Sequence, residues 1–191
     1  MILLSVLGFG LLGALLRSSW GRRRLSPPRL HCPGLVPVAF IPQALAFYAP
    51  GILEIPDTLA SVGLMASQIG LLAFAWMNRR QASMRLLGLG LAPNFLVIAV
   101  NGGWMPISPE TLARLVPGSV AEDWPAGVRF GTSKDMVLPA TETRLPMLSD
   151  RFILPINGPY RVAFSVGDVL LVLGTLIFFW AMGSKASNGQ A

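Results

Sequence analysis

Acidic side chains are scarce in this chain: nine Asp and Glu stand against fifteen Lys and Arg, and only 13% of its 191 residues are charged. Soluble domains carry about a quarter charged residues, so an ordinary water-soluble globule is excluded. A single cysteine, Cys32, permits no internal disulfide, and with the single histidine, His31, it lacks the further ligands that a structural zinc site needs. Neither GxGxxG after a strand nor GxxxxGK[ST] occurs, so the glycine loops that cradle nucleotides are missing. No metal and no cofactor is expected.

Apolar residues take the place of the missing charge. They make up 53% of the chain, and the mean hydropathy is +0.60. The pI near 10.7 raises nucleic acid as a partner, but the basic residues are not interleaved with aromatics on a soluble module. They flank apolar runs instead, where positive charge sets topology and meets anionic head groups. The expected partners are membrane lipids and other membrane protein subunits, and not nucleic acid.

A helix rises about 1.5 Å per residue, so crossing a hydrocarbon core takes about 20 mainly apolar residues. The apolar runs predict an all-α integral membrane protein, one membrane domain with helices over about 1–17, 35–53, 59–77, 86–101 and 166–182. The first run has no basic residue ahead of it and no small-residue cleavage site after it, which predicts a retained helix rather than a signal peptide. Pro37, Pro42 and Pro50 predict kinks in the second. Gly63, Ser67 and Gly70 give the third a face on which another backbone can approach closely. A Pro- and Gly-rich segment over 102–161 is too long for a simple connection and should hold structure of its own, including a short helix from Glu110 and an extended piece or hairpin within 144–156. A short polar tail follows over 183–191.

Orientation follows from charge, because cytoplasmic loops keep Lys and Arg. With the N-terminus outside, the inner segments hold Arg17, Arg22, Arg23, Arg24, Arg29, Arg79, Arg80, Arg85 and Lys185, nine of the fifteen basic residues, and none of the nine acids. The segment over 102–161 is then extracytoplasmic, and the C-terminus is cytoplasmic.

Three features bear chemistry, all expected at the outer surface. Asn101-Gly102-Gly103-Trp104-Met105-Pro106 leaves the fourth helix as a C-cap, with Trp104 expected at head-group level. Leu148-Ser149-Asp150-Arg151-Phe152 carries an acid late in the loop. Ser165-Val166-Gly167-Asp168 opens the last helix, where an aspartate deep in a span costs about 3 kcal/mol and so needs a partner, a wet cavity or a raised pKa. Ser165 or Asp168 capping the first turn, with Arg151 or Arg161 pairing the acids, is the structural reading. If Asp150 and Asp168 meet, like-charge repulsion makes them share one proton, the chemistry of an aspartic hydrolase.

Asn101-Gly-Gly-Trp-Met-Pro106, then Leu148-Ser-Asp-Arg-Phe-Ile-Leu-Pro155, then Ser165-Val-Gly-Asp168 with Gly174 following, resembles a family of uncharacterised bacterial multi-pass membrane proteins known as a domain of unknown function. The resemblance covers most of the chain and implies a bacterial inner-membrane protein, without an activity. Asp150-Arg-Phe-Ile153 and Phe164-Ser-Val-Gly-Asp168 are also similar to the two signatures of lipoprotein signal peptidases. That likeness implies Asp150 and Asp168 as a catalytic pair and Asn101 as a substrate-orienting amide. Ser165 stands where that motif has Asn, Gly167 where it has Ala, and the predicted helix count exceeds that of those enzymes. The leading expectation is a noncatalytic interaction or assembly component; an aspartic endopeptidase is the first alternative and a small transporter or ion-path subunit the second.

Overall fold

The computed structural model of the protein describes residues 28–48, 55–155 and 161–182. The predicted helix over 1–17 and the tail over 183–191 lie outside the described residues. Four long apolar helices dominate: α1 (Leu35–Tyr48), α2 (Asp57–Met77), α3 (Ala82–Val100) and α5 (Val166–Met182), with a short α4 (Pro109–Leu115) between the last two. At 21 and 19 residues, α2 and α3 are long and apolar enough to cross a membrane, whereas α1 and α5 are shorter at 14 and 17. Five membrane spans are therefore not established by the described helices.

The boundaries differ from the predicted ones where local signals outweigh hydropathy. α2 begins two residues early because Pro56 occupies its N-cap and Asp57 favours the positive end of the helix dipole. α3 begins at Ala82 rather than 86, taking Arg85 into its first turns, since the turn over 78–81 ends there. Of the second predicted helix, residues 49–53 lie outside the described residues. Pro42 and Pro93 stay inside α1 and α3.

The long helices pack in chain order, α1 on α2, α2 on α3 and α3 on α5. Glycine permits the approach. A Cβ on Gly70 would lie 2.7 Å from Ala39 Cβ, and one on Gly63 would touch Pro42 at 3.4 Å. At the α3–α5 crossing the fit is tighter: a Cβ on Gly167 would fall 2.0 Å from Asn94 Oδ1 and 2.7 Å from the Gly90 carbonyl, and one on Gly90 2.7 Å from the Gly167 carbonyl.

Residues 101–155 and 161–165 form a cap over one end of these helices. A parallel pair, β1 (Met105–Ile107) with β2 (Asp135–Val137), brackets α4, and an antiparallel hairpin pairs β3 (Phe152–Pro155) with β4 (Arg161–Phe164). Ile107, Leu112 and Val137 form the apolar core of the cap, while Leu64, Val97, Ile98 and Met105 fill its junction with α2 and α3.

Trp104 departs from expectation. It is 6% exposed rather than set at a head-group surface, and it packs on Ala46 and Ala60 between α1 and α2. The cause is the turn before it: Gly102 and Gly103 take φ of 76° and 88°, and the Gly103 N–H donates to the Ile98 carbonyl at 2.9 Å, so the chain folds back over the bundle instead of leaving it.

Gly167→Ala should therefore lower thermal stability in detergent by an amount typical of overpacking, about 1–3 kcal/mol. Gly88→Ala should be close to neutral, because its Cβ would meet only Ala75 at an ordinary 3.6 Å. Melting curves of the two purified variants check the contrast.

Candidate functional site

The polar side chains that sequence alone singles out collect at the junction of cap and bundle, but in two separate clusters. In the first, Ser165 and Asp168 bind each other reciprocally at the start of α5: the Ser165 N–H donates to Asp168 Oδ2 at 2.9 Å and the Asp168 N–H to Ser165 Oγ at 3.2 Å. This is a capping box, and it satisfies two helix-end donors at once. Asn94 of α3 completes it, its Nδ2 donating to Asp168 Oδ1 at 3.1 Å. The Ser165 hydroxyl lies 2.9 Å from both Asn94 Oδ1 and Asp168 Oδ2 and has one hydrogen for the two. Gly167, without a side chain, lets Asn94 reach this far.

In the second cluster, Asp150 is 3% exposed and its Oδ2 lies 2.5 Å from Lys134 Nζ, which also reaches Asp135 Oδ1 at 3.2 Å. Backbone pairing sets this geometry. The Met105 N–H donates to the Lys134 carbonyl at 3.0 Å, and the Asp150 N–H to the Pro106 carbonyl at 3.3 Å, so β1 holds both residues beside it. Asp150 Oδ1 is buried without a hydrogen-bond partner among the described residues.

Burial lifts the Asp150 carboxyl from its ordinary 3.8 to about 7, against the pull of the Lys134 ammonium and with added repulsion from Asp135 and Asp168. Burial also opposes the Lys134 charge, but the fields of Asp135, Asp150 and Asp168 prevail and raise its pKa above the ordinary lysine value. Two carboxylates contact the ammonium, and the field of a third reaches it. Lys134 keeps its proton, and Asp150 is where a further proton binds.

Arg129 fastens the cap to the bundle. Its Nε donates to the Ser133 carbonyl at 2.8 Å, Nη1 to Asp57 Oδ1 at 3.2 Å, and Nη2 to the carbonyls of Thr132 and Ala46 at 2.9 and 3.3 Å. The guanidinium carbon lies 4.9 Å from the Trp104 ring and 5.0 Å from that of Phe47. Asn101 fastens the opposite flank: Nδ2 donates to the Val97 and Arg144 carbonyls at 2.7 and 2.8 Å, and Oδ1 accepts from the Arg144 N–H at 2.9 Å.

Arginine pairing of the acids, expected from sequence, gives way to lysine pairing. Among the described residues Arg151 reaches no carboxylate: Nη1 lies 2.7 Å from Met147 Sδ and its guanidinium 5.8 Å from the Phe152 ring. Arg161 donates to the Arg114 carbonyl. Lys134, the residue before β2, reaches the buried Asp150 instead. Asp150 and Asp168 share no hydrogen bond among the described residues and interact only through their fields. Pro106 is fully buried in β1. Lys134, Asp135 and Arg129 were not singled out in the sequence, although Lys134 is the only lysine besides Lys185. No group of three or more His, Cys, Asp and Glu among the described residues is placed to hold a metal.

Fold and site together define a helical protein in which two helices are long and apolar enough to cross a membrane, closed at one end by a small polar cap. The chain belongs to DUF5317, a family of unknown function whose match covers residues 29–180 and so takes in both clusters. Comparison with curated proteins and with solved structures gave no significant match.

Lys134→Met strands Asp150 in its buried position and should cost about 1–3 kcal/mol, less than for a fully buried pair because Lys134 keeps a third of its exposure. Adding Asp150→Asn should recover part of the loss in a double-mutant cycle. A carboxyl raised in the fold contributes stability that is complete below its unfolded value and lost as pH climbs through the folded one. The melting temperature should accordingly fall between pH 4 and 7, the interval from 3.8 to about 7, and Asp150→Asn should flatten that slope.

Proposed function

We propose that the protein is a multi-pass integral membrane protein of the bacterial plasma membrane, with its cap on the non-cytoplasmic side, the N-terminus outside and the C-terminus cytoplasmic, and that it serves as an interaction or assembly component. The observation that carries this reading is the segregation of charge along the helices. Every acid among the described residues lies in the cap or in the first turn of α2 or α5 beside it, while Arg29, Arg79, Arg80 and Arg85 lie at the far end. His31 and Gln81 anchor that far end, through bonds between His31 and Asn78 and between Gln81 and the Arg29 carbonyl. Arginine is what cytoplasmic loops retain.

Between the two ends the helix surfaces are apolar and open. Leu59, Val62, Leu89, Trp76 and Trp180 are each 60–68% exposed, which suits lipid or another membrane helix and is costly in water. The polar groups, by contrast, are largely consumed by internal bonds. Aspartic hydrolysis, the alternative, needs Asp150 and Asp168 to share a proton across a substrate, and each carboxylate is held by a different partner, Lys134 or the Ser165–Asn94 pair. These observations favour an organising role for both acids.

Cys32 is the sole cysteine of the chain, is exposed, and lies at the arginine-rich end. On intact cells a membrane-impermeant maleimide should leave it unlabelled while a permeant one labels it. Ala126→Cys in a Cys32→Ser background, an exposed cap position, should be labelled by both reagents. Impermeant labelling of Cys32 would sink the orientation.

A further inference from the structure

A cavity of about 410 Å³ opens in the cap between α4 and the chain over 140–151, and Ser149 and Arg151, the two residues flanking Asp150, are part of its lining. Arg114 and Arg151 line it, together with Thr111, Thr143, Ser149 and Glu110. Neither arginine meets a carboxylate among the described residues, although Glu110 shares the cavity. We propose that this cavity holds the phosphodiester of a membrane lipid head group, bound by the Arg114 and Arg151 guanidinium groups.

Two observations select that ligand. The first is what surrounds Arg151: the Met147 sulfur at 2.7 Å and the Phe152 ring at 5.8 Å, on side chains that are 66% and 42% exposed, with Leu154 at 49% on the same hairpin. A cation framed by exposed apolar side chains fits an amphiphile, whose phosphate meets the guanidinium while its chains cover the hydrocarbon. The second is the net charge: Arg114 and Arg151 against Glu110 leave the lining one positive charge in excess, which attracts a phosphate group. Guanidinium forks bind phosphate oxygens with paired, charge-assisted bonds.

The inference rests on the cap lying at a membrane surface, but its test does not use the labelling experiment. The full-length protein in a neutral maltoside detergent is titrated calorimetrically with short-chain phosphatidylglycerol, with the corresponding neutral diacylglycerol and with inorganic phosphate at constant ionic strength. Saturable binding of the phospholipid alone is expected. Arg114→Gln and Arg151→Gln should each weaken it about tenfold, as loss of a charged hydrogen bond predicts. The Arg114 backbone carbonyl that receives Arg161 is untouched by either change. Should a glutamine variant fail to fold, Arg114→Lys with Arg151→Lys decides, since replacing forks by point charges must still weaken binding several-fold, by about the value of the lost second bonds. Equal binding by wild type and the arginine variants overturns the proposal, as does phosphate binding as tightly as the lipid, or diacylglycerol matching the phospholipid.

Discussion

The cap stays on the bundle through the guanidinium of Arg129. Three of its nitrogens donate four hydrogen bonds and its carbon lies within 5.0 Å of two aromatic rings, so four of the five donors of a group that is expensive to bury are satisfied. Its partners come from the end of α1, the start of α2, the exit of α3 and the loop that carries Arg129 itself. Trp104, folded inward by the Gly102–Gly103 turn, offers that cation an aromatic face, and Met105 follows it into the junction core at the start of β1. Lys134 and Asp150 then meet because both are bonded to β1.

The α3–α5 crossing supplies the other half of the arrangement. Gly90 and Gly167 bring two backbones close enough that the Asn94 amide spans the gap to Asp168. An aspartate at the start of an apolar helix is thereby paired without a counterion, by an amide, a hydroxyl and a backbone N–H. The helix dipole favours the charge at that end. Lys134 is close enough to feel this charge, so the two clusters are distinct in bonding and joined in field.

Much of this is legible in the residues. The α5 limits, the short helix after Pro109, the extended piece near 152–155 and the cap at Asn101-Gly-Gly are local patterns, and each depends on neighbours in sequence. Ser165 and Asp168, three residues apart, announce a capping box in the same way. The partner of Asp150 is not local: Lys134 stands sixteen residues away and is delivered by strand pairing, which hydropathy does not encode. Trp104 misled because an aromatic at the end of an apolar run reads as interfacial, whereas Arg129, 25 residues on, decides its surroundings through tertiary contact. The start of α3 was set too late because Arg85 looks like loop by charge, although arginine is a good helix former.

The long sequence separation of these contacts has a consequence for how the chain is made. Asn94 waits 74 residues for Asp168, and Ala46 waits 83 for Arg129. At ribosomal speeds of about 5–20 residues per second, the Asn94 amide emerges roughly 4–15 s before the carboxylate that will receive it. Throughout that interval the groove beside Gly90 is open on a nascent chain, so α5 is the helix that closes it, and a ribosome stalled before residue 165 would leave a polar amide exposed on an apolar helix as a mark of incompleteness.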